Sequence, residues 1–184
     1  MEIREALQSL PLRFLAPQDI GLHDSPLEHG TTFEENAKMK AKFFHERALL
    51  PTVADDSGII VEALQDELGI HTRRWGAGPD ATDDEWIAHF LQRMEREDNR
   101  RARFVCSIAY VDPHGMIHAF QGECQGIITP TLEAPYLPGL PISACFKPDG
   151  LDRVFSALTI EEKNLTSHRG RALSQLRAFL QLTI

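Results

Sequence analysis

Ala54-Asp55-Asp56-Ser57-Gly58 sets two adjacent carboxylates between an apolar run and a glycine, a composition that packing alone does not require. In extended backbone, neighbouring side chains face opposite sides, so one aspartate can enter a pocket while the other ties down the main chain. Gly58 would let a phosphate approach the backbone closely. A polar turn has the same composition, and the motif by itself leaves both readings open. Glu28, in Leu27-Glu28-His29-Gly30, offers a further carboxylate on a loop. Magnesium is often held by one or two carboxylates together with substrate phosphates, and Glu28 with the aspartates suits that use; a lone loop glutamate is otherwise simply solvated.

Two groups of donors accompany these acids. Asn36 and Lys40 stand four residues apart, so on a helix they share a face and can present a donor pair to phosphate, although helix lysines commonly just meet solvent. Glu161-Glu162-Lys163-Asn164-Leu165-Thr166-Ser167-His168-Arg169-Gly170 gathers Lys163, His168 and Arg169 at the entrance to the last helical pattern. A helix start with unpaired N–H groups and an arginine fork is a natural anion site; a Ser167 cap with solvent-facing charges fits the same residues.

The elements that must position these groups follow from periodicity. Residues 2–9 suit a short helix and 12–15 a strand between Pro11 and Pro17, followed by an irregular stretch to Gly30. Phe33, Ala37, Ala41, Phe44 and Ala48 recur at helical spacing over 33–49, with Thr32 and Glu35 as a capping box and with Asn36, Lys40 and Arg47 toward a polar side. Pro51 stops that helix, 52–54 is a short apolar lead, and 58–64 suits a strand. A second amphipathic helix fits 83–97, carrying Trp86, Ile87, Phe90, Leu91 and Met94 on one side. Two strand-like runs, 102–111 and 116–124, flank Asp112-Pro113-His114-Gly115 and predict a hairpin reaching Ile128. A proline-rich connection follows, with a strand remnant at 142–146, then helices over 160–164 and 167–182. Helices alternating with strands, plus a hairpin, imply an α/β fold whose central sheet is mixed rather than purely parallel.

Composition bounds the function. The 184 residues fit one domain, and 42% hydrophobic with 25% charged is the make-up of a soluble globular protein. A formal charge of -8 argues against a surface that grips nucleic acid or an anionic membrane, so an anionic ligand must be met by a local basic pocket. Cys106, Cys124 and Cys145 are widely spaced without a CxxC pair, which favours a reducing compartment over a zinc site or disulfide framework. The charged N-terminal heptapeptide lacks the apolar core of a signal peptide and no long apolar run follows, so a cytoplasmic location without membrane attachment is expected.

In this order the pieces resemble the inosine triphosphate pyrophosphatase family, the noncanonical purine NTP pyrophosphatases or XTP/dITP diphosphatases. The resemblance runs through Gly30-Thr31-Thr32-Phe33-Glu34-Glu35-Asn36-Ala37 with Lys40-Ala41, then Ala54-Asp55-Asp56-Ser57-Gly58, Gly69-Ile70-His71-Thr72-Arg73-Arg74-Trp75, and Glu162-Lys163 with Ser167-His168-Arg169-Gly170. It implies one pyrophosphatase-like domain over 1–184: a mixed central sheet flanked by helices, two lobes around a nucleotide cleft, and a homodimer. It implies a small-molecule nucleotide substrate and Mg2+, with hydrolysis of ITP, dITP or XTP to the monophosphate and pyrophosphate. In the family pattern Asp56 is the general base and a metal ligand, Glu28 shares the metal, and Ser57 contacts the nucleotide. Lys40 and Lys163 match phosphate or nucleotide contacts, and His168 with Arg169 match the motif that reads the base.

Two departures accompany the match. Family members open with a strand and a Gly-Asn-x-x-Lys loop around the triphosphate, which this sequence lacks. Its base-side loop is Pro138-Gly139-Leu140-Pro141-Ile142-Ser143 where the family carries Phe-Gly-Tyr-Asp-Pro; Tyr136, Trp75 and Phe146 are the aromatics near enough in sequence to offer a stacking face. The alternatives are a catalytically impaired nucleotide-binding relative, or a related pyrophosphatase with another base preference.

Overall fold

Four strands, β1 (Thr52–Val61), β2 (Arg101–Val111), β3 (Ile117–Ile128) and β4 (Phe146–Pro148), lie side by side in that order in a computed structural model that describes residues 2–64, 67–76, 78 and 80–183. Five helices accompany them: α1 (Glu2–Ala6), α2 (Phe33–Ala48), α3 (Asp83–Met94), α4 (Ile160–Thr166) and α5 (His168–Thr183). The α/β class read from the sequence holds. The Asp112 carboxylate closes the β2–β3 hairpin by accepting from the N–H groups of His114 and Met116 at 2.8 and 2.9 Å. β3 continues antiparallel to β4, with Ile128 opposite Phe146.

The chain divides into two compact units, one of Met1–Ser57, Cys106–Gly122 and His168–Ile184, the other of Gly58–Val105 and Glu123–Ser167. In the first, the period-two alternation of β2 sorts residues to two faces. Cys106, Ile108 and Tyr110 meet Leu7, Leu10 and the α5 residues Ala172, Leu173, Leu176 and Leu180. Ala109 and Val111 meet Ala37 and Ala41 of α2. Small side chains on that face let α2 lie close to the sheet. Gly122 allows the same closeness on the other: a Cβ there would stand 2.1 Å from the His168 carbonyl oxygen, so any side chain would lever α5 off β3.

The second unit buries Ile59, Val61, Phe104, Phe146 and Phe155 with the apolar side of α3. Trp86 stacks on Phe90 at 5.4 Å between ring centroids, and Phe104 meets Phe146 edge-on at 4.7 Å. The start of α3 is fixed by reciprocal bonds: Glu85 N–H donates to Thr82 Oγ1 at 3.2 Å, and Thr82 N–H donates to the Glu85 carboxylate at 2.8 Å. Asp83 and Asp84 then anchor the proline-rich connection, accepting from Gly139 N–H at 2.7 Å and from the Tyr136 hydroxyl.

Three local expectations are corrected. Residues 12–15 form no strand: Leu12 and Leu15 are exposed, and only Phe14 packs against the core. Flanking prolines lack the N–H groups a ladder needs. The expected strand over 142–146 divides into a buried 3-10 turn, Pro141–Ala144, and β4, because a short apolar run suits either state and burial decides it here. The strand expected over 58–64 instead runs from Thr52 to Val61, taking in Asp55, Asp56 and Ser57, and Glu62–Leu64 form a 3-10 turn.

Candidate active site

Because the aspartate motif lies within a strand, its side chains alternate between faces. Val53 belongs to the α5 side and Ala54 to the α2 side, so Asp55 and Ser57 follow Val53 while Asp56 follows Ala54. Hydrogen bonds agree. Asp56 meets α2, whereas Asp55 and Ser57 meet Arg169 of α5.

On the α2 side, the Lys40 ammonium lies 2.9 Å from Asp56 Oδ1 and 3.6 Å from Glu28 Oε1. Sharing one nitrogen at those distances puts the two carboxylate oxygens at most about 6.5 Å apart. Lys40 and Asp56 are largely shielded, at 18% and 15% side-chain exposure, and Glu28 is more open at 35%. Asn36, one turn before Lys40, donates from Nδ2 to Asp56 Oδ2 at 3.2 Å. The donor pair expected to face phosphate is bonded to the Asp56 carboxylate.

Local sequence explains how Glu28 reaches this place. Thr32 caps α2 by accepting from Glu35 N–H at 3.1 Å. The Glu35 carboxylate reaches back over this cap, accepting chiefly from the N–H and hydroxyl of Thr31 at 2.6 and 2.9 Å. The Thr31 N–H, first among these contacts, holds the Glu35 carboxyl below its usual range. Gly30 N–H donates to Asn36 Oδ1 at 2.9 Å, folding the preceding loop back along the first turn of the helix.

On the α5 side, Arg169 Nη2 donates to Asp55 Oδ2 at 2.9 Å and to Ser57 Oγ at 3.1 Å. His168 opens the helix and is 7% exposed, and its backbone carbonyl lies close against Gly122 of β3. Burial, with the neighbouring Arg169 charge second, pushes its pKa down to about 3. The imidazole is therefore neutral at pH 7 and adds no cationic charge beside Arg169. Lys163 lies in α4 of the second unit, where its ammonium donates to the Ser156 carbonyl at 3.3 Å. Ser167 separates α4 from α5.

The structure thus joins Glu28, Lys40 and Asp56 on one side of β1 and Ser57 with Arg169 on the other. Phe146 belongs to the core beside Phe104, and Trp75 packs against Trp86 and His89 at 6.0 and 5.0 Å, so both aromatics are engaged in packing. Among the described residues, no group of three or more His, Cys, Asp or Glu side chains forms a metal cluster. Two carboxylates beside a single cation suit a hard divalent ion whose remaining ligands come from substrate and water.

Residues 1–179 match the Ham1 family. The chain belongs to that family. It is 37% identical over 180 residues to the dITP/XTP pyrophosphatase of Leptospira interrogans, covering 98% of this chain and 90% of the relative. It is 39% identical over 178 residues to the dITP/XTP pyrophosphatase of Deinococcus deserti, covering 96% and 82%. A Ham1 protein structure from Coxiella burnetii superposes with a TM-score of 0.89 at 32% identity, covering 98% of this chain and 91% of that one.

Two features of the family member described here escaped sequence reasoning. Asn36 is buried at 3% exposure although the helical pattern set it on a polar side, since its amide is satisfied by a loop and a strand that periodicity does not reveal. The partner of Asp55, Arg169, lies 114 positions away, beyond the reach of any local pattern. The alternation rule did signal that Asp55 and Asp56 would separate.

Proposed function

We propose that this chain hydrolyses noncanonical purine nucleoside triphosphates such as dITP, ITP and XTP to the monophosphate and pyrophosphate, using magnesium. The observation that carries the chemistry is the Lys40 ammonium between Asp56 at 2.9 Å and Glu28 at 3.6 Å, with the names of the pyrophosphatase relatives supporting the substrate class. Asp56 and Glu28 would hold the ion, which when bound draws charge from the triphosphate as it develops.

The residues of this chain divide the remaining work. Asp56, fixed by Asn36 and Lys40, orients a water and accepts its proton. Lys40 supplies fixed positive charge beside the phosphates. Across β1, Arg169 held by Asp55 and Ser57 reads the nucleoside end, with neutral His168 as a hydrogen-bonding neighbour. β1 is an end strand of the ordered sheet, so a nucleotide passing over its edge can meet both faces. A site built to bond an oxo purine rejects adenine because the wrong edge leaves buried polar groups unpaired.

The working unit is a homodimer in the cytoplasm. Its acidic charge of -8 and the absence, among the described residues, of any helix long and apolar enough to cross a membrane support that setting. Light scattering should return twice the 20.7 kDa chain mass. The deciding assay is pyrophosphate release from dITP, ITP, XTP and dATP with magnesium or with EDTA. Release confined to the first three and abolished by EDTA is expected; equal turnover of dATP would overturn the specificity, and full activity in EDTA the metal.

A further inference from the structure

We propose that Asn36 is the positioning residue that sets the spacing of Glu28 and Asp56, by joining the loop that carries one to the strand that carries the other. This rests on the reading of those carboxylates as a shared magnesium site. Asn36 is 3% exposed in the first turn of α2, where a buried amide needs partners at both ends. Gly30 N–H donates to Oδ1 at 2.9 Å, and Nδ2 donates to Asp56 Oδ2 at 3.2 Å. Each bond fixes the other. The end facing an N–H must be the oxygen, so the NH2 must face the carboxylate, which as an anion can only accept.

The loop is held closely as well as bonded. A Cβ on Gly30 would stand 2.6 Å from Asn36 Oδ1 and 2.8 Å from Glu35 Cβ, so only glycine fits without moving the loop. Glu28 precedes Gly30 by two residues and has little slack relative to the clamp. Lys40 takes the other oxygen of Asp56, at 2.9 Å, and reaches back to Glu28 at 3.6 Å. The lysine contributes charge between the acids, whereas the asparagine contributes geometry: its two bonds span the loop and the strand, and it holds Asp56 by Oδ2, leaving Oδ1 to the side where Lys40 reaches toward Glu28.

The test uses Asn36→Asp, which keeps the size and the acceptor for Gly30 but as a carboxylate cannot donate to Asp56, and Gly30→Ala, which forces the loop off an unaltered amide. Each should raise the apparent magnesium constant for pyrophosphate release from dITP by roughly 10- to 100-fold, the usual effect of losing a partner that orients a metal ligand. KM for dITP at saturating magnesium should change little. Mn2+ binding, followed by EPR of the free ion in the presence of a non-hydrolysable dITP analogue, should weaken in parallel. The two substitutions combined should weaken it less than additively, because they break one link. Asn36→Ala provides a second variant should the aspartate prevent folding. An asparagine that only packs would lower the melting temperature and leave the magnesium constant of the folded protein unchanged, which would overturn the role. If Glu28→Gln and Asp56→Asn weaken Mn2+ binding but Asn36→Asp does not, the metal site stands and Asn36 does not set it. If neither Glu28→Gln nor Asp56→Asn affects Mn2+ binding, the carboxylates do not hold the ion and Asn36 has nothing to position.

Discussion

Asp55 and Asp56 are adjacent, chemically identical and on opposite faces of one strand, which makes Asp55→Asn and Asp56→Asn a matched pair. Asp56 accepts from Lys40 at 2.9 Å and from Asn36 at 3.2 Å; in the amide variant, whichever way the group turns, a donor meets a donor. Losing a charged hydrogen bond costs about 1.5–3 kcal/mol, and Lys40 keeps Glu28 as a partner, so a net loss of about 2 kcal/mol is expected. At this chain length ~1 kcal/mol moves the melting temperature by about 2–4 °C, so Asp56→Asn should melt roughly 4–8 °C low and remain folded at assay temperature. Asp55 and Arg169 are about a third exposed, which discounts their pair to about 0.2–1 kcal/mol. Turnover should separate the variants far more than stability does. Removing the base alone predicts a fall of roughly 10²–10⁴-fold for Asp56→Asn, before any loss of metal. Asp55→Asn should mainly raise KM for dITP by loosening Arg169. Pyrophosphate release at saturating dITP and magnesium, beside calorimetric melting of each variant, measures both quantities. Asp56→Asn retaining turnover within about tenfold of the parent, or Asp55→Asn losing as much, would refute the division of labour between the faces.

Arg169→Ala removes charged bonds on the α5 side and should weaken binding of a non-hydrolysable dITP analogue by roughly 10- to 100-fold in calorimetry, with unchanged affinity contradicting the role. The folded pKa of His168, about 3, lies below its ordinary 6.5, so the fold favours the neutral ring. Its contribution to stability is complete above pH 6.5 and declines as pH falls toward 3, by up to about 1.4 kcal/mol per pH unit; His168→Gln should flatten melting temperature against pH in that window, and an unaltered slope would count against it. Burial pushes the Cys145 thiol up to about 12, so it should resist thiol reagents at pH 8 until the chain is denatured, and rapid labelling of the native protein would contradict that. Thr82→Ala removes the α3 cap and should cost about 1 kcal/mol in urea unfolding without affecting turnover.

The sequence alone determined what depends on neighbours along the chain. Helical spacing of Phe33, Ala37 and Ala41 defines α2 and the polar turn at Asp112 defines the hairpin, whereas the choice between turn and strand at the two aspartates was made by β1. Tertiary structure decided what each face meets. Asp55 finds Arg169 114 positions along the chain, and Asn36, read as polar surface, is buried because Gly30 and Asp56 satisfy its amide. His168 is held neutral far below its ordinary range because folding buries it beside Arg169. The physical reason is common to all three: periodicity fixes the direction of a side chain, whereas its solvation and charge are set by groups that only folding brings near.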